Sequence, residues 1–309
     1  MSENEKPLVT AVITTYKRKP EIVKRALDSI VEQTYSNIEI FVVNDCPTDK
    51  ELVEDLREMI VLSSKKRKVN YIVVKKNGGA CRARNLALEK ARGKYFACLD
   101  DDDEWFPDKI ELQVSAAENN PRIGIVYCNA YMYIENEKKE KVRFKSQPIT
   151  NSKNAIDILV GKNVIGSCSF PLFSTQCLRN VGGFREDMPA LQDWELYLRL
   201  LRENDIAYVE KPIARYYFHE GERISAHPEN RTAAYEIIQE EIKDILALNP
   251  KSASNFYLMG TYFYSLTGET KKAFGYYCKG VKKSPFEIKR NCYDFIRMMG
   301  RKFIKPSKV

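Results

Sequence analysis

The chain has 309 residues, of which 44% are hydrophobic and 30% charged, and it carries a formal net charge of +8. That is a globular composition, with enough chain for one large α/β domain and a small appendage. No apolar run reaches the ~18 residues of a membrane-spanning helix. The two histidines and eight scattered cysteines form no C-x-x-C pair, which argues against a zinc knuckle.

Met1 to Pro7 lacks the basic-then-apolar order of a secretory signal, so a cytoplasmic protein with reduced thiols is expected. The next hundred residues alternate strand and helix signals. Leu8–Ile13 is an apolar strand. Glu21–Gln33 places Ile22, Ala26, Leu27, Ile30 and Val31 at helical spacing, with Pro20 suited to the first turn. Ile38–Val43 is a near-continuous apolar run, as in a strand covered on both faces. A helix over 49–62, a strand over 71–74, a helix over 79–91 ending before Gly93, and a strand over 95–99 follow. The order β-α-β-α-β-α-β predicts a parallel sheet with right-handed crossovers.

The middle reads as a helix over 107–117, a strand over 123–134, a charged hairpin over 138–145, short helices over 154–160 and 175–180, and an amphipathic helix over 192–203. Strands over 206–209 and 213–218 close it. From 227 the signal is helical: one long helix over 232–248, then a helical hairpin over 254–285. In that hairpin Tyr257, Tyr264, Gly268, Ala273, Tyr277, Gly280 and Pro285 fall at tetratricopeptide offsets. One such unit does not make a solenoid, and an ordinary packed hairpin reads equally well. The boundary is expected near 225, with a donor half over 8–105, an acceptor half over 106–225 and a helical extension over 226–309.

In an open parallel sheet, ligands bind at the carboxyl ends of the strands. Those ends carry Thr14 to Arg18, Asn44 to Pro47, Lys75 to Gly79 and Asp100 to Trp105. Adjacent aspartates repel one another, so the run Asp100-Asp101-Asp102-Asp103 asks for a cation. Alternate carboxylates suit a hard ion, Mg²⁺ or Mn²⁺. A solvated acidic loop is the competing reading, and the apolar strand just before the run favours the metal. The first strand–helix turn lacks G-x-G-x-x-G, which excludes a dinucleotide dehydrogenase. The +8 charge suits a nucleic-acid or protein-binding module, but four aspartates would repel phosphates unless metal-bound, so nucleic acid is not expected.

These residues resemble a known family. Val12 to Arg18, Val43 to Asp49, Asn77-Gly78-Gly79 with Ala83-Arg84-Asn85, Leu99 to Asp103, and Gly182-Gly183-Phe184 followed by Gln192 to Leu196 resemble, in order, the motifs of family 2 glycosyltransferases with a GT-A fold. The likeness spans about 8–220. It implies a Rossmann-like, mostly parallel mixed sheet flanked by helices, and inverting transfer from a nucleotide diphosphate sugar, a UDP-sugar first, to a glycan or lipid-linked acceptor in surface polysaccharide assembly. The alternative is a non-enzymatic nucleotide- or protein-binding module that uses the helical extension.

The resemblance implies a role for each residue. Thr15, Tyr16, Arg18, Asp45, Asn77, Gly78, Arg84, Asp100 and Asp101 would contact the donor. Asp102 would ligate the metal, with His219 as a weaker second ligand. Asp193 would be the catalytic base. Asp45 also reads as the cap of the next helix and Arg84 as a partner of the acidic loop. Asp193 also reads as a first-turn helix stabiliser, though the resemblance tips it toward catalysis. Trp194 beside it reads as stacking a sugar face or, by default, as core. Asn44 and Gln192 depart from the family, which usually has acids there. The basic tail Lys289–Lys305 reads either as an interfacial helix on the inner membrane face or as a packed terminal helix.

Overall fold

The computed structural model describes residues 6–134, 139–142, 149, 154–218 and 227–286. The chain forms two compact units. One comprises Met1–Lys153, Ile165–Glu186 and Arg199–His219; the other comprises Asn154–Val164, Asp187–Leu198 and Glu220–Val309. The sequence placed a single boundary near 225; two earlier segments also group with the C-terminal helices.

The first unit is built on one nine-stranded sheet in the order β3-β2-β1-β4-β8-β6-β9-β5, with β7 paired to β6. β1 (Val9–Thr15), β2 (Ile38–Asn44), β3 (Val69–Val73) and β4 (Tyr95–Asp100) run parallel. β8 (Leu172–Ser174) pairs antiparallel to β4 and to β6 (Ile123–Ile134), and β9 (Asp205–Phe218) runs parallel to β6. β5 (Glu104–Trp105) closes the order antiparallel to β9, and β7 is Lys139–Val142. The sheet is thus mixed, with most paired residues in parallel pairs.

Both faces of β1 are covered, which is why Val9, Ala11, Val12 and Ile13 follow so closely along it. Val9, Ala11 and Ile13 share a core with Val23, Ala26, Leu27 and Ile30 of α1 (Pro20–Val31). α3 (Gly79–Lys90) packs on β1 and β2. Each fully buried Val, Leu or Ile side chain contributes about 1.5–3 kcal/mol relative to exposure. α2 (Lys50–Ser63), α4 (Lys109–Glu118) and α6 (Thr175–Asn180) complete this unit.

The chain goes from β1 outward to β2 and β3, then returns to place β4 on the other side of β1. This reversal is the switch point at which such sheets open a crevice beyond the strand ends. The carboxyl ends of β1 and β4 lie side by side there, with Thr14 in register with Asp100.

The structure corrects three expectations. The strands over 206–209 and 213–218 are one strand, β9, which passes Pro212 by shifting register against Cys128–Ala130; Asn129 Nδ2 donates to Glu210 O at 3.0 Å across the irregularity. The long helix over 232–248 is two, α8 (Pro228–Glu241) and α9 (Lys243–Leu248), separated at Ile242, whose ψ of 17° is not helical. The two short strands β5 and β8 had no sequence signal.

The second unit gathers α5 (Ala155–Gly161), α7 (Gln192–Leu200) as far as Leu198, and α8 to α11. α10 (Pro250–Leu266) and α11 (Thr270–Lys283) form the expected hairpin. They meet closely at Gly280, where a Cβ would lie 2.9 Å from Leu258 Cγ and where Ser254 Oγ donates to the Gly280 carbonyl at 2.7 Å. Tyr235 stacks on Phe256 with ring centroids 4.3 Å apart and donates its hydroxyl to the Phe256 carbonyl. Trp194 is buried here, its Nε1 donating to Leu159 O at 2.7 Å, so of its two readings the structure takes core.

Candidate active site

At the end of β1, Thr15 is buried and its carbonyl accepts from Asp45 N at 2.8 Å, which ties the first two strand ends together. The chain then leaves the sheet. Tyr16 is half exposed, and Lys17 takes a left-handed backbone with φ 52°. A lysine gains nothing from that conformation, so the surrounding loop must hold it there. The residue after this turn, Arg18, reaches the end of β4. Its Nε donates to Asp101 Oδ1 at 3.0 Å and its Nη2 to Asp102 Oδ2 at 2.9 Å.

The four aspartates alternate in environment. Asp103 N donates to Asp100 O at 3.1 Å, closing a turn. The Asp100 and Asp102 side chains are 31% and 23% accessible, whereas Asp101 is at 10% and Asp103 is fully buried. Asp100 accepts from Arg84 Nη2 at 2.7 Å and from Ser167 Oγ at 2.9 Å, and its backbone N–H donates to Ser169 Oγ at 3.0 Å. The Asp102 carbonyl accepts from Arg25 Nη2 at 2.7 Å, and the Arg25 guanidinium lies 3.6 Å from the centre of the Tyr217 ring. Asp103 Oδ1 accepts from Tyr217 N at 3.2 Å. Below the loop, Trp105 Nε1 donates to Ser169 O at 2.8 Å and Trp105 N to Ser29 Oγ at 3.1 Å, anchoring its exit to α1.

Burial, with Asp100 and Asp102 nearby, pushes Asp103 well above the ordinary carboxylate value. Burial also raises Asp101, to about 6, against the pull of Arg18. Two guanidiniums face the remaining carboxylates. In this structure the run expected to ask for a cation is faced by Arg18 and Arg84, which meet part of its charge. Among the described residues, no three His, Cys, Asp or Glu side chains form a metal cage.

Asp45 is buried, and its carboxylate faces the start of α3. It accepts from Gly78 N at 3.0 Å, Gly79 N at 2.7 Å and Asn77 Nδ2 at 2.9 Å. Asp45 does not cap the next helix, as one reading had it: that cap is Asp49, which accepts from Leu52 N at 3.0 Å, and Asp45 instead meets the first N–H groups of α3. The N–H groups of Gly78 and Gly79 are thereby occupied by Asp45. Asn44 is buried, donating to Tyr71 Oη and accepting from Cys46 N, both at 2.9 Å.

Residues 10–182 match the family description Glycosyl transferase family 2. The chain belongs to this family. An uncharacterized glycosyltransferase of Haemophilus influenzae is 26% identical over 90% of this chain and 91% of its own length. A putative colanic acid biosynthesis glycosyl transferase of Escherichia coli, WcaA, is 28% identical over 64% of this chain and 67% of its own. Other relatives are longer: the chain spans 39% of an uncharacterized glycosyltransferase of Rickettsia felis and 20% of the protein y4gI of Sinorhizobium fredii. Among solved structures, S. aureus TarS 1-349 in complex with UDP-GlcNAc superposes with a TM-score of 0.64 at 18% identity, over 95% of this chain and 89% of that one. The fold is GT-A type.

In this glycosyltransferase two motifs far apart in sequence prove to be one device. Asn85 Nδ2 donates to Phe184 O at 2.8 Å, and Asn85 Oδ1 accepts from Phe184 N at 2.8 Å. Gly183 has φ +72°, and a Cβ there would lie 2.6 Å from Asn85 Oδ1. The side chain of Arg84, one position earlier, turns to Asp100. Asp193 belongs to the second unit, in the first turn of α7, where its Oδ1 accepts from Trp194 N at 2.8 Å. Leu191, just before that helix, is the other non-glycine residue with positive φ among the described residues, at 58°. His219 and the tail Lys289–Lys305 lie outside the described residues. Sequence reasoning missed Ser167, Ser169, Arg25 and Tyr217, which hold the acidic loop; short polar residues and a strand tyrosine carry no local signal of such a role.

Proposed function

We propose that this glycosyltransferase transfers a sugar from a nucleoside diphosphate sugar, a UDP-sugar first, to a glycan or lipid-linked acceptor, with inversion, in surface polysaccharide assembly. One observation carries the reading. At the switch point of a GT-A sheet, two partly accessible alternate carboxylates, Asp100 and Asp102, stand beside Arg18 and close to the end of β1. The relatives named for glycosyl transfer, and the TarS complex with UDP-GlcNAc, support the donor class.

In this reading Tyr16, half exposed beyond β1, packs on the nucleoside. Thr15, Asn77 and Gly78 shape the wall beside it, and Asp45 acts by fixing that wall. Arg18 binds the diphosphate, while Arg84 holds Asp100. The donor set fits a hard divalent ion that uses one or two carboxylates and fills its other positions with substrate phosphate and water. Asp102 would hold Mg²⁺ or Mn²⁺, with Asp100 behind it, and His219 is retained as a weaker candidate. Such an ion offsets charge growing on the leaving diphosphate. Asp193 takes the proton of the acceptor hydroxyl as that oxygen bonds to the anomeric carbon. The bond from that carbon to the diphosphate oxygen breaks, and its electron pair leaves with the nucleoside diphosphate through an oxocarbenium-like state.

Peripheral membrane contact belongs to the same proposal. Among the described residues no helix is long and apolar enough to cross a membrane. α11 carries Lys271, Lys272, Lys279, Lys282 and Lys283 beside exposed Phe274, a composition that suits anionic lipid. Removing 289–305 is expected to weaken sedimentation with phosphatidylglycerol vesicles, and unchanged sedimentation would refute the contact through the tail.

The deciding experiment is calorimetric titration of UDP with and without Mn²⁺, followed by an assay of transfer. Asp102→Asn is expected to remove metal-dependent UDP binding, and Asp193→Asn to keep UDP binding while losing transfer. Failure of UDP, GDP and dTDP to bind under any condition would refute the donor site. Full activity in Asp193→Asn would refute the base.

A further inference from the structure

Two arginines bond carboxylates of the acidic loop, and they are held very differently. Arg84 is 9% accessible, rises from the middle of α3 and is packed beside the Phe184 ring, 5.5 Å from its centroid. Arg18 is 33% accessible, stands in a loop, and follows a residue with left-handed backbone. Arg84 donates from Nη2 to Asp100. Arg18 spreads its fork over two, with Nε on Asp101 and Nη2 on Asp102. The second of those carboxylates is the proposed metal ligand.

A planar guanidinium that spans two carboxylates also matches the oxygens of a diphosphate. A divalent ion on Asp102 and a guanidinium on the same carboxylate repel each other at short range, and a diphosphate supplies the negative charge that separates them. Resting on the donor reading above, we propose that Arg18 is the donor-free enzyme's own counter-cation and a competitor of the divalent ion: it occupies Asp101 and Asp102 until a nucleoside diphosphate draws it away. Arg18 is then a positioning residue that couples two ligands. The ion binds weakly alone and tightly with the nucleotide, and by linkage the nucleotide gains equally from the ion.

Free Mn²⁺, followed by electron paramagnetic resonance, measures ion affinity directly, without turnover. The titration is run with and without saturating UDP on the wild-type chain, Arg18→Met and Arg18→Lys. In the wild type, UDP is expected to tighten Mn²⁺ by roughly 10-fold or more. Arg18→Met is expected to bind Mn²⁺ without UDP about 10-fold more tightly than wild type, to bind UDP more weakly, and to lose most of the coupling. Arg18→Lys keeps the charge but cannot span two carboxylates, so its ion affinity falls between the two. It also serves if the methionine variant folds poorly.

Normal metal-dependent UDP binding in the wild type, with ion affinity unchanged or weakened in both variants, overturns the inference and leaves the donor reading standing. Absence of UDP binding in the wild type under every metal condition overturns both.

Discussion

The two ends of the same parallel sheet bury carboxylates in opposite ways. At the amino end, Glu39 of β2 accepts from Thr10 Oγ1 at 2.6 Å, Arg92 N at 2.6 Å and Arg92 Nε at 2.9 Å, and Gly93 N donates in turn to Thr10 Oγ1 at 3.0 Å. Burial opposes the Glu39 charge, but these donors outweigh it and hold the carboxyl below its ordinary value. At the carboxyl end, Asp101 and Asp102 share one long, partly exposed arginine, and burial pushes the Asp103 carboxyl well above its ordinary value. Glu39 has an exposed guanidinium too, but a threonine hydroxyl and a backbone N–H hold it as well; the Arg18 guanidinium is a partner that a ligand can replace. The lesson is that a buried acid is marked as structural or functional by how firmly its partners are held.

The strongest break of that contrast exchanges the two ends. Asp102→Asn is expected to lower transfer by about 100-fold or more, with a melting temperature within about 2 °C of wild type. Glu39→Ala is expected to do the reverse: it strands Thr10 and Arg92 donors, costs about 2–3 kcal/mol, lowers Tm by about 5 °C, and leaves kcat per folded molecule unchanged. Calorimetric melting and an activity assay on both variants decide it, and a destabilised Asp102→Asn would erase the distinction.

A smaller effect is expected at the joint between α3 and the Gly183 loop. Gly183→Ala forces a methyl into a left-handed position against Asn85, and Asn85→Ala removes the clamp; each should cost about 1–2 kcal/mol in urea unfolding. Because they damage one contact, the double variant should cost less than the sum. Simple additivity would mean that Gly183 is there for another reason.

The smallest effect concerns Lys109, a fully buried lysine whose Nζ donates to Gln113 Oε1 at 2.6 Å and lies 4.1 Å from the Trp105 ring centre. Burial lowers its value from 10.5 to about 8. Between those limits the unfolded chain binds the proton more strongly, so this lysine's contribution to stability is complete above about 10.5 and is lost as pH falls through about 8. Relative to Lys109→Met, the wild type should gain about 1 kcal/mol between pH 7 and pH 9. A flat difference across that range would show that the ammonium is not desolvated.

Much of the donor half was legible because β1, β2 and β4 are almost wholly buried and so read as mainly apolar runs, each followed by polar residues that no core requires; β3, at the sheet edge, is only partly buried. β5, of two residues, and β8, of three, are too short to show any period. The interruption at Ile242 has no proline or glycine to announce it. In the site, residue types were readable but partnerships were not. Asp45 could be read as an acid at a strand end, yet which helix it caps depends on Gly78 and Gly79, 33 and 34 positions away. Arg18 lies 83 positions from Asp101, and Ser167 lies 67 from Asp100. Local pattern holds no record of contacts at that range.

The pairing of the acidic loop with Arg18 and Arg84 has a consequence for how this protein is made and handled. Part of its charge is met by side chains encoded in the chain, so folding is expected not to wait for an ion or a nucleotide to arrive. The protein should emerge from synthesis already shaped, survive chelating buffers with its fold intact, and treat its ligands as visitors to a finished scaffold rather than as parts of it.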